Sequence, residues 1–352
     1  QIDEASAIEA LGNLGFRHPR EALARLAELR GASRYLQLPA TNRARLDAVG
    51  PRLIEAAGST PEPDVTLSRG LNFLEGIARR GAYLALLQQY PMALRRVADM
   101  ICASSWASDY LNRHPLLLDE LLDPRLYDIA TDWAGFRELL RRTLADHAGD
   151  TEREMDILRE LHHGQIFRLL AQDLAGLQTI EKLSDHLTEL ADTIVQETLP
   201  LVWTKIKNRH RDTPRFAVIG YGKMGGKELG YASDLDLVYL YDDDDQDAPE
   251  NYTRLGQRLN TWLSSQTPAG ILFETDLRLR PNGDAGLLAV SVEAFRDYQL
   301  KNAWVWEHQA LTRARFCAGD SAVGQRFEEI RIEILRQQRE LPKLREEVIA
   351  MR

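Results

Sequence analysis

Residues Phe216–Asp242 read FAVIGYGKMGGKELGYASDLDLVYLYD, and the prediction of the fold starts from them. It opens with an apolar run, passes through five glycines and closes with a second run rich in β-forming residues. Short apolar runs bounded by glycine are typical of buried strands. The stretch therefore predicts two strands joined by a glycine-rich segment.

Two carboxylates stand at the start of the second strand. Because side chains alternate along a strand, Asp234 and Asp236 share one face while Leu235 and Leu237 share the other. Carboxylates held this close raise each other's pKa unless a cation neutralises them, and an all-oxygen pair suits Mg²⁺. The pair predicts a magnesium site.

The glycines before this acidic pair predict a place for phosphate. Gly222, Gly225 and Gly226 leave the backbone N–H groups accessible, and Lys223 adds positive charge. The letters that begin at Gly220 also spell the G-x-G-x-x-G fingerprint of dinucleotide-binding folds. That alternative is disfavoured because the following segment has room for only about two helical turns, and no βαβαβ succession surrounds it.

A third carboxylate lies in the stretch Ile271–Arg280, ILFETDLRLR, whose residues alternate as in a strand. Asp276, Arg278 and Arg280 would then share one face with Glu274. Beside the first acidic pair, Asp276 would complete a three-carboxylate cluster, and the two arginines would bind a triphosphate. An edge strand whose outer face is solvated is the alternative.

These residues predict nucleotidyl transfer by two metal ions. A hydroxyl attacks the α-phosphate in line with the departing pyrophosphate, and two ions about 4 Å apart activate the hydroxyl and hold the triphosphate. We expect Asp234 and Asp236 to bridge both ions, and Asp276 to bind the ion next to the nucleophile. The groups expected to hold phosphate oxygens are Ser233, the Gly225–Gly226 backbone and, at the pyrophosphate, Arg278 or Arg280.

Three motifs carry a resemblance to a known family. They are the opening stretch, ETDLRLRPNGDAG at Glu274–Gly286 and WVWEHQALTRAR at Trp304–Arg315. From about residue 152 onward, the chain resembles the glutamine synthetase adenylyltransferase family, whose two halves are each a nucleotidyltransferase of the DNA polymerase β superfamily. The spellings S-D-L-D-L and W-E-H-Q-A-L are similar to the C-terminal half, which attaches AMP.

The resemblance implies a reaction and its partners. ATP would donate AMP to a tyrosine hydroxyl of glutamine synthetase, with two Mg²⁺ ions as cofactors, to down-regulate nitrogen assimilation. Glutamine and the PII signalling protein would regulate the enzyme. Three alternatives stay open: phosphorolytic removal of AMP from the synthetase, nucleotidyl transfer to a small molecule or an RNA end, and a regulatory binding module without catalysis.

The composition limits the number of domains, the partners and the cellular compartment that we expect. With 352 residues, 44% hydrophobic and 28% charged, the chain is typical of a globular protein of two or three domains. A formal charge of −9 without a basic stripe disfavours nucleic acid as a partner. No apolar run approaches the roughly 20 residues of a membrane span, and the two scattered cysteines, Cys102 and Cys317, favour a reducing compartment. We therefore expect a cytoplasmic protein and, from its start at Gln1, a piece of a longer one.

The chain is expected to be α+β and mostly helical. A helical bundle over residues 1–145, a regulatory or linker domain by resemblance, precedes a nucleotidyltransferase domain over residues 146–352. In the second domain, leading helices (151–212) and trailing helices (293–352) flank a polymerase β-like α/β core (213–292).

Apolar spacing places the individual helices. Those of the bundle are Pro19–Arg30, Ala40–Ala57, Thr66–Tyr90, Met92–Asp109 and Pro115–Leu122. Those of the second domain are Thr151–Gln172, capped by Thr151 with Glu154; Ser184–Leu199, capped by Ser184 and ended by Pro200; Asn251–Leu263; Val292–Gln299; Trp304–Phe316; and Ser321–Arg352, broken at Pro342. Gly286–Val290 is predicted to be a short strand, and the acidic run Asp242–Asp247 a mobile, solvated loop.

Overall fold

The chain divides into two compact units. The computed structural model describes residues 3–128 and 131–338, together with residues 345 and 349. The units comprise residues 1–131 with 167–178, and residues 132–166 with 179–352. Among the described residues, no helix combines the length and the apolar character needed to cross a bilayer. The predicted α+β, mostly helical class is confirmed.

The first unit is a helical bundle. Its α-helices are α1 Glu4–Asn13, α2 Pro19–Gly31, α3 Ser33–Leu36, α4 Ala40–Gly58, α5 Pro63–Ile77, α6 Gly81–Gln89, α7 Pro91–Ala103 and α8 Ser105–Arg113. In place of the predicted helix Pro115–Leu122 there are 3₁₀ turns, at Pro115–Leu118, Glu120–Leu122 and Pro124–Tyr127. The helices predicted to start at Pro19 and Ala40 are confirmed.

Two predicted helices of this unit are each broken in two. Thr66–Tyr90 turns at Arg80, just before Gly81, a poor helix former that opens α6. Met92–Asp109 is divided at Ser104, whose backbone is extended and whose hydroxyl caps α8. The predictions followed apolar spacing, which continues across both breaks.

The second unit contains the sheet. Its helices are α9 Trp133–Ala145, α10 Thr151–Leu174 (which ends in the first unit), α11 Ile180–Thr204, α12 Gly222–Gly225, α13 Ala248–Ser264, α14 Val292–Lys301, α15 Val305–Leu311 and α16 Ser321–Leu335. Its strands are β1 Phe216–Gly220, β2 Leu235–Tyr241, β3 Thr275–Asp276, β4 Ala289–Ser291 and β5 Arg315–Gly319. The two strands predicted within the opening stretch, β1 and β2, are confirmed.

Strand β2 organises the sheet. The strand order is β3-β2-β1-β5, and β4 also pairs with β2. β1 is antiparallel to β2 and β5, whereas β3 and β4 run parallel to β2. β3 pairs with the start of β2, at Leu235–Asp236, and β4 pairs with its end, at Tyr239–Tyr241. The start of β2 therefore lies beside β3.

Helices cover both faces of this sheet. On one face, apolar side chains of β1 and β2 pack with Phe295 of α14 and Phe327 of α16, both fully buried. On the other, the Phe216 ring lies 5.5 Å from the Tyr239 ring and 5.8 Å from the Tyr252 ring of α13, centroid to centroid. Each such buried ring contributes about 1.5–3 kcal/mol, so the register of β1 and β2 is strongly fixed.

The start of α10 differs from its predicted cap. Asp150, rather than Thr151, caps the helix, because its carboxylate accepts from the Arg153 N–H at 3.1 Å. Glu154 still reaches back, but to the N–H of Gly149 at 3.0 Å. The predicted capping residue was therefore wrong by one position.

Helix α11 is longer than predicted at both ends. Thr179, rather than Ser184, is its cap, and the helix continues through Pro200 instead of ending there. A proline removes one helical hydrogen bond. Burial of Val202 and Trp203, which are 0% and 1% exposed, compensates by holding the last turn against its neighbours.

The predicted helix Trp304–Phe316 is wrong at its C-terminal end. Helix α15 ends at Leu311, and Arg315–Gly319 forms β5 against β1. Of the predicted helix Ser321–Arg352, α16 confirms the first part up to Leu335. The expected break at Pro342 lies outside the described residues.

Asp243 shows that part of the acidic run is not a solvated loop. Its carboxylate is 2% exposed and accepts from the Tyr252 hydroxyl (2.7 Å), His210 Nε2 (2.9 Å) and Arg211 Nη2 (2.9 Å). Burial raises the pKa of Asp243, but the hydrogen bonds from Tyr252, His210 and the Asp245 N–H, with the charge of Arg211, together outweigh burial and lower it. The prediction was wrong here because a run of like charges does not reveal its distant partners.

We expect Asp243→Asn to lower the free energy of unfolding by about 3 kcal/mol at pH 7, because it leaves buried donors without their carboxylate. The folded-state pKa of Asp243 is lowered, so its contribution is present above the ordinary pKa of about 4 and is lost as the pH falls. Urea unfolding should therefore show a difference between wild type and variant that shrinks below about pH 4. The exposed Asp244→Asn is the matched control, and an equal difference at pH 7 and pH 3 would contradict this account.

Candidate metal and nucleotide site

Three carboxylates meet where β2 and β3 begin to pair. Leu235 pairs with Thr275 and Asp236 with Asp276, and the Leu235 N–H donates to the Glu274 carbonyl at 2.9 Å. One oxygen from each of Asp234, Asp236 and Asp276 can be chosen so that all three lie within 4.8 Å of one another. Oxygen donors at this spacing fit a hard divalent cation such as Mg²⁺.

Burial on the opposite face explains how β2 presents its carboxylates. Leu235 and Leu237 are both 0% exposed and anchor the strand in the core. Strand alternation then directs Asp236 to the other face, and Asp234 precedes the strand on that same side. Slipping the strand by one residue would bury the carboxylates and expose the leucines, so the core fixes the site.

The charges of the cluster oppose one another. The pKa of Asp236 is raised, first by burial and then by the charges of Asp234 and Asp276, with Lys223 and Arg278 acting against the rise. The pKa of Asp276 is lowered, chiefly by its hydrogen bonds with Arg278. A cation between the three carboxylates would relieve the repulsion at Asp236.

Helix α12 lies directly against this cluster. A methyl group at Gly222 would be 2.0 Å from Asp236 Oδ2, and the glycine has a φ of +52°, in the left-handed region. The N–H of Tyr221 donates to the Asp236 carbonyl at 2.8 Å. Only glycine at position 222 lets the backbone approach the carboxylate this closely, so the glycine segment is built around Asp236.

The backbone N–H groups of Gly225 and Gly226, which were predicted to bind phosphate, donate to carbonyl groups of the chain itself. The N–H groups of Gly225 and Gly226 donate to the carbonyls of Tyr221 (2.8 Å) and Gly222 (3.0 Å). A methyl group at Gly225 would lie 1.8 Å from the Arg313 carbonyl oxygen. These two glycines thus close the turn and permit tight packing, with their N–H groups engaged inside the chain.

Ser233 and Lys223 flank the cluster. The Ser233 hydroxyl accepts from the Gly230 N–H at 3.0 Å and so closes the turn before Asp234. A hydroxyl that accepts one hydrogen bond can still donate another. Lys223 is exposed on α12, near enough to Asp236 to act on the pKa of that carboxyl.

The predicted strand Ile271–Arg280 is wrong on both sides of Thr275–Asp276. β3 contains only Thr275–Asp276, and the chain then turns, so the two arginines do not share a strand face. The exposed Arg278 folds back onto the Asp276 carboxylate. Arg280 is 12% exposed and donates to the Leu277 carbonyl at 2.6 Å. The strand ends because this turn satisfies the backbone groups that a longer strand would present.

A cavity of about 530 Å³ opens at the cluster. It is lined by Asp234, Glu274, Thr275, Asp276, Leu277, Arg278, Arg280, Asp284 and Leu288. Its volume is within the range of about 300–1,000 Å³ that is usual for small-molecule sites. Both predicted arginines therefore border the space beside the carboxylates, although by a turn rather than a strand.

Sequence reasoning missed the residues that support α12 from behind. The Arg313 carbonyl lies against Gly225, and Arg315 donates to the Met224 carbonyl at 3.1 Å. A signal was present, because from residue 313 the letters R-A-R-F alternate between polar and apolar with period two. These residues were assigned instead to the predicted helix Trp304–Phe316, because they directly follow the helical pattern of WEHQAL.

The family comparison agrees with the geometry. A model of the glutamate-ammonia ligase adenylyltransferase family matches residues 94–330. Three similar proteins are each named bifunctional glutamine synthetase adenylyltransferase/adenylyl-removing enzyme. That of Aromatoleum aromaticum is 65% identical over 316 residues (90% of this chain, 34% of the relative), that of Chromobacterium violaceum 53% over 351 (100% and 39%), and that of Neisseria meningitidis serogroup B 54% over 329 (94% and 37%).

The chain thus spans between about a third and two fifths of the length of these relatives. The matched residues include the glycine segment, all three carboxylates and Arg315 of β5. From these matches, the chain belongs to the glutamate-ammonia ligase adenylyltransferase family.

Proposed function

We propose that this chain transfers AMP from ATP to a tyrosine hydroxyl of glutamine synthetase and releases pyrophosphate. The observation that carries the proposal is the three-carboxylate cluster of Asp234, Asp236 and Asp276 beside a glycine helix. Nucleotidyl transfer needs divalent cations next to a triphosphate, and this cluster has the donor set for them. The names of the relatives supply the protein substrate.

The proposed roles follow from the position of each side chain. Asp234 and Asp236 would hold two Mg²⁺ ions and Asp276 the ion nearer the attacking hydroxyl. When bound, the ions would supply charge neutralisation at the triphosphate and lower the pKa of the hydroxyl. Gly222 keeps the backbone close to Asp236, which fixes the orientation of that carboxylate.

The remaining polar groups would bind the nucleotide phosphates. Lys223 and Ser233 flank the cluster, and Gly222, Gly225 and Gly226 shape the short helix α12, against which the phosphates would lie. Arg278 and a cation compete for the Asp276 carboxylate, so we assign Arg278, with Arg280, to the pyrophosphate in the loaded site.

The wider assignments rest on the family. We propose a regulatory or linker domain at residues 1–145 and a nucleotidyltransferase domain at residues 146–352. The proposed regulators are glutamine and the PII signalling protein, and the proposed location is the cytoplasm. The spelling S-D-L-D-L supports the AMP-attaching half over the AMP-removing half.

A transfer assay tests the proposal. The chain is mixed with unmodified glutamine synthetase, Mg²⁺ and ATP labelled at either the α- or the γ-phosphate. We expect label on the synthetase from α-labelled ATP alone, because AMP is the transferred group. In the converse assay, adenylylated synthetase with phosphate and no ATP should release no ADP. Release of ADP in the second assay, with no label transferred in the first, would favour the AMP-removing activity. If no label is transferred and no ADP is released, both activities are contradicted.

A further inference from the structure

Arg315, the first residue of β5, joins three elements of the second unit. Its Nη1 and Nη2 contact Asp192 Oδ2 and Oδ1 at 2.8 and 2.9 Å, which is a bidentate pair with α11. The same Nη2 donates to the Met224 carbonyl of α12 at 3.1 Å. Both side chains of the pair are about one fifth exposed, so solvent screens this pair less than a surface pair.

Helix α12 is too short to hold its own position. It contains four residues, and isolated helices of that length are unstable in water. Its Met224 carbonyl accepts from Arg315, and its last residue, Gly225, packs against the Arg313 backbone. At its other end, Gly222 touches Asp236 Oδ2 so closely that a methyl group would not fit.

We propose that Arg315, oriented by Asp192, is a positioning residue for the metal site, acting through α12 on the Asp236 carboxylate. The inference rests on the proposed function for its effect on activity, but not for its effect on the structure of α12. Arg315 does not touch the three carboxylates, so its effect passes through the contact of Gly222 with Asp236. A lysine at this position could not bind Asp192 and the Met224 carbonyl with the same fixed geometry.

Hydrogen exchange of the chain tests the structural half of the proposal. In Arg315→Met, the amides of Gly225 and Gly226 should exchange at least about tenfold faster than in wild type, because α12 loses its anchor. Arg315→Lys should be intermediate. The matched control is Arg141→Met, which breaks another bidentate pair on α11; the Arg141 hydrogen bonds go to Glu197 and not to α12. Unchanged exchange at Gly225 and Gly226 in Arg315→Met would overturn the proposal.

The Mg²⁺ dependence of AMP transfer tests the functional half. Outer partners of metal ligands typically change metal affinity by about 10- to 100-fold, so Arg315→Met should raise the half-saturating Mg²⁺ concentration by about tenfold. Arg141→Met should leave this concentration unchanged, even if its melting temperature falls as much as that of Arg315→Met. A lower kcat with an unchanged Mg²⁺ midpoint would overturn the positioning role. If wild type transfers no AMP, the proposed function fails, and the exchange result alone decides on Arg315.

Discussion

Asp236→Asn is expected to reduce AMP transfer by about 10³-fold without destabilising the protein. Loss of a ligand shared by both cations removes about 4 kcal/mol of transition-state stabilisation. The folded-state pKa of Asp236 is raised by burial and by its neighbouring carboxylates. The ionised carboxylate therefore opposes folding at pH 7, and an uncharged amide removes that opposition.

Thermal melts separate these two effects. Without Mg²⁺, Asp236→Asn should melt at the wild-type temperature or above it. Added Mg²⁺ should stabilise the variant much less than wild type, since a ligand stabilises the folded state in proportion to how tightly that state binds it. Asp244→Asn, which makes the same charge change at an exposed position, should behave as wild type. An Asp236→Asn protein with near-normal transfer would show that the cluster is not the catalytic site.

Gly222→Ala is expected to cost about 10²-fold in AMP transfer, in addition to stability. The new methyl group would lie 2.0 Å from Asp236 Oδ2, so the carboxylate or α12 must move. A shift of about 1 Å at reacting groups costs about 10²-fold. The left-handed φ of +52° adds about 1–2 kcal/mol of backbone strain for a residue with a side chain.

Gly149→Ala separates strain from displacement. Gly149 also has a positive φ, +97°, but a methyl group there would meet nothing within 4 Å. In urea unfolding, the Gly149→Ala variant should lose stability of the same order as Gly222→Ala, but its AMP transfer should equal that of wild type. Equal transfer by Gly222→Ala and Gly149→Ala would mean that the approach of α12 to Asp236 has no catalytic consequence.

The strand carrying the acidic pair could be predicted because its signals are local. Leucines and aspartates alternate in S-D-L-D-L, and period-two alternation needs no partner to be recognised. The pairing of Asp236 with Asp276 could be inferred only indirectly, because this pairing lets Asp276 complete a metal-binding cluster. The family resemblance then supplied ATP as the donor and glutamine synthetase as the acceptor, which no spacing of residues predicts.

The rest depended on distant contacts. The turn after Asp276 forms because Arg278 and Arg280 bind nearby oxygens, which alternation of polar and apolar letters does not reveal. β5 follows an amphipathic helix without a strong boundary, and its Arg315 contacts Met224 and Asp192, which are far away in the sequence. The burial of Asp243 could not be predicted from the run of aspartates, because its partners His210 and Tyr252 are distant in the sequence.

Titration with Mn²⁺, followed by the paramagnetic resonance signal of the free ion, tests the central claim most directly. The claim is that Asp234, Asp236 and Asp276 together hold divalent cations. We expect wild type and the Asp244→Asn control to bind Mn²⁺ alike, and Asn at any of the three positions to weaken binding by at least about tenfold. Equal Mn²⁺ binding by wild type and all three variants would contradict the claim.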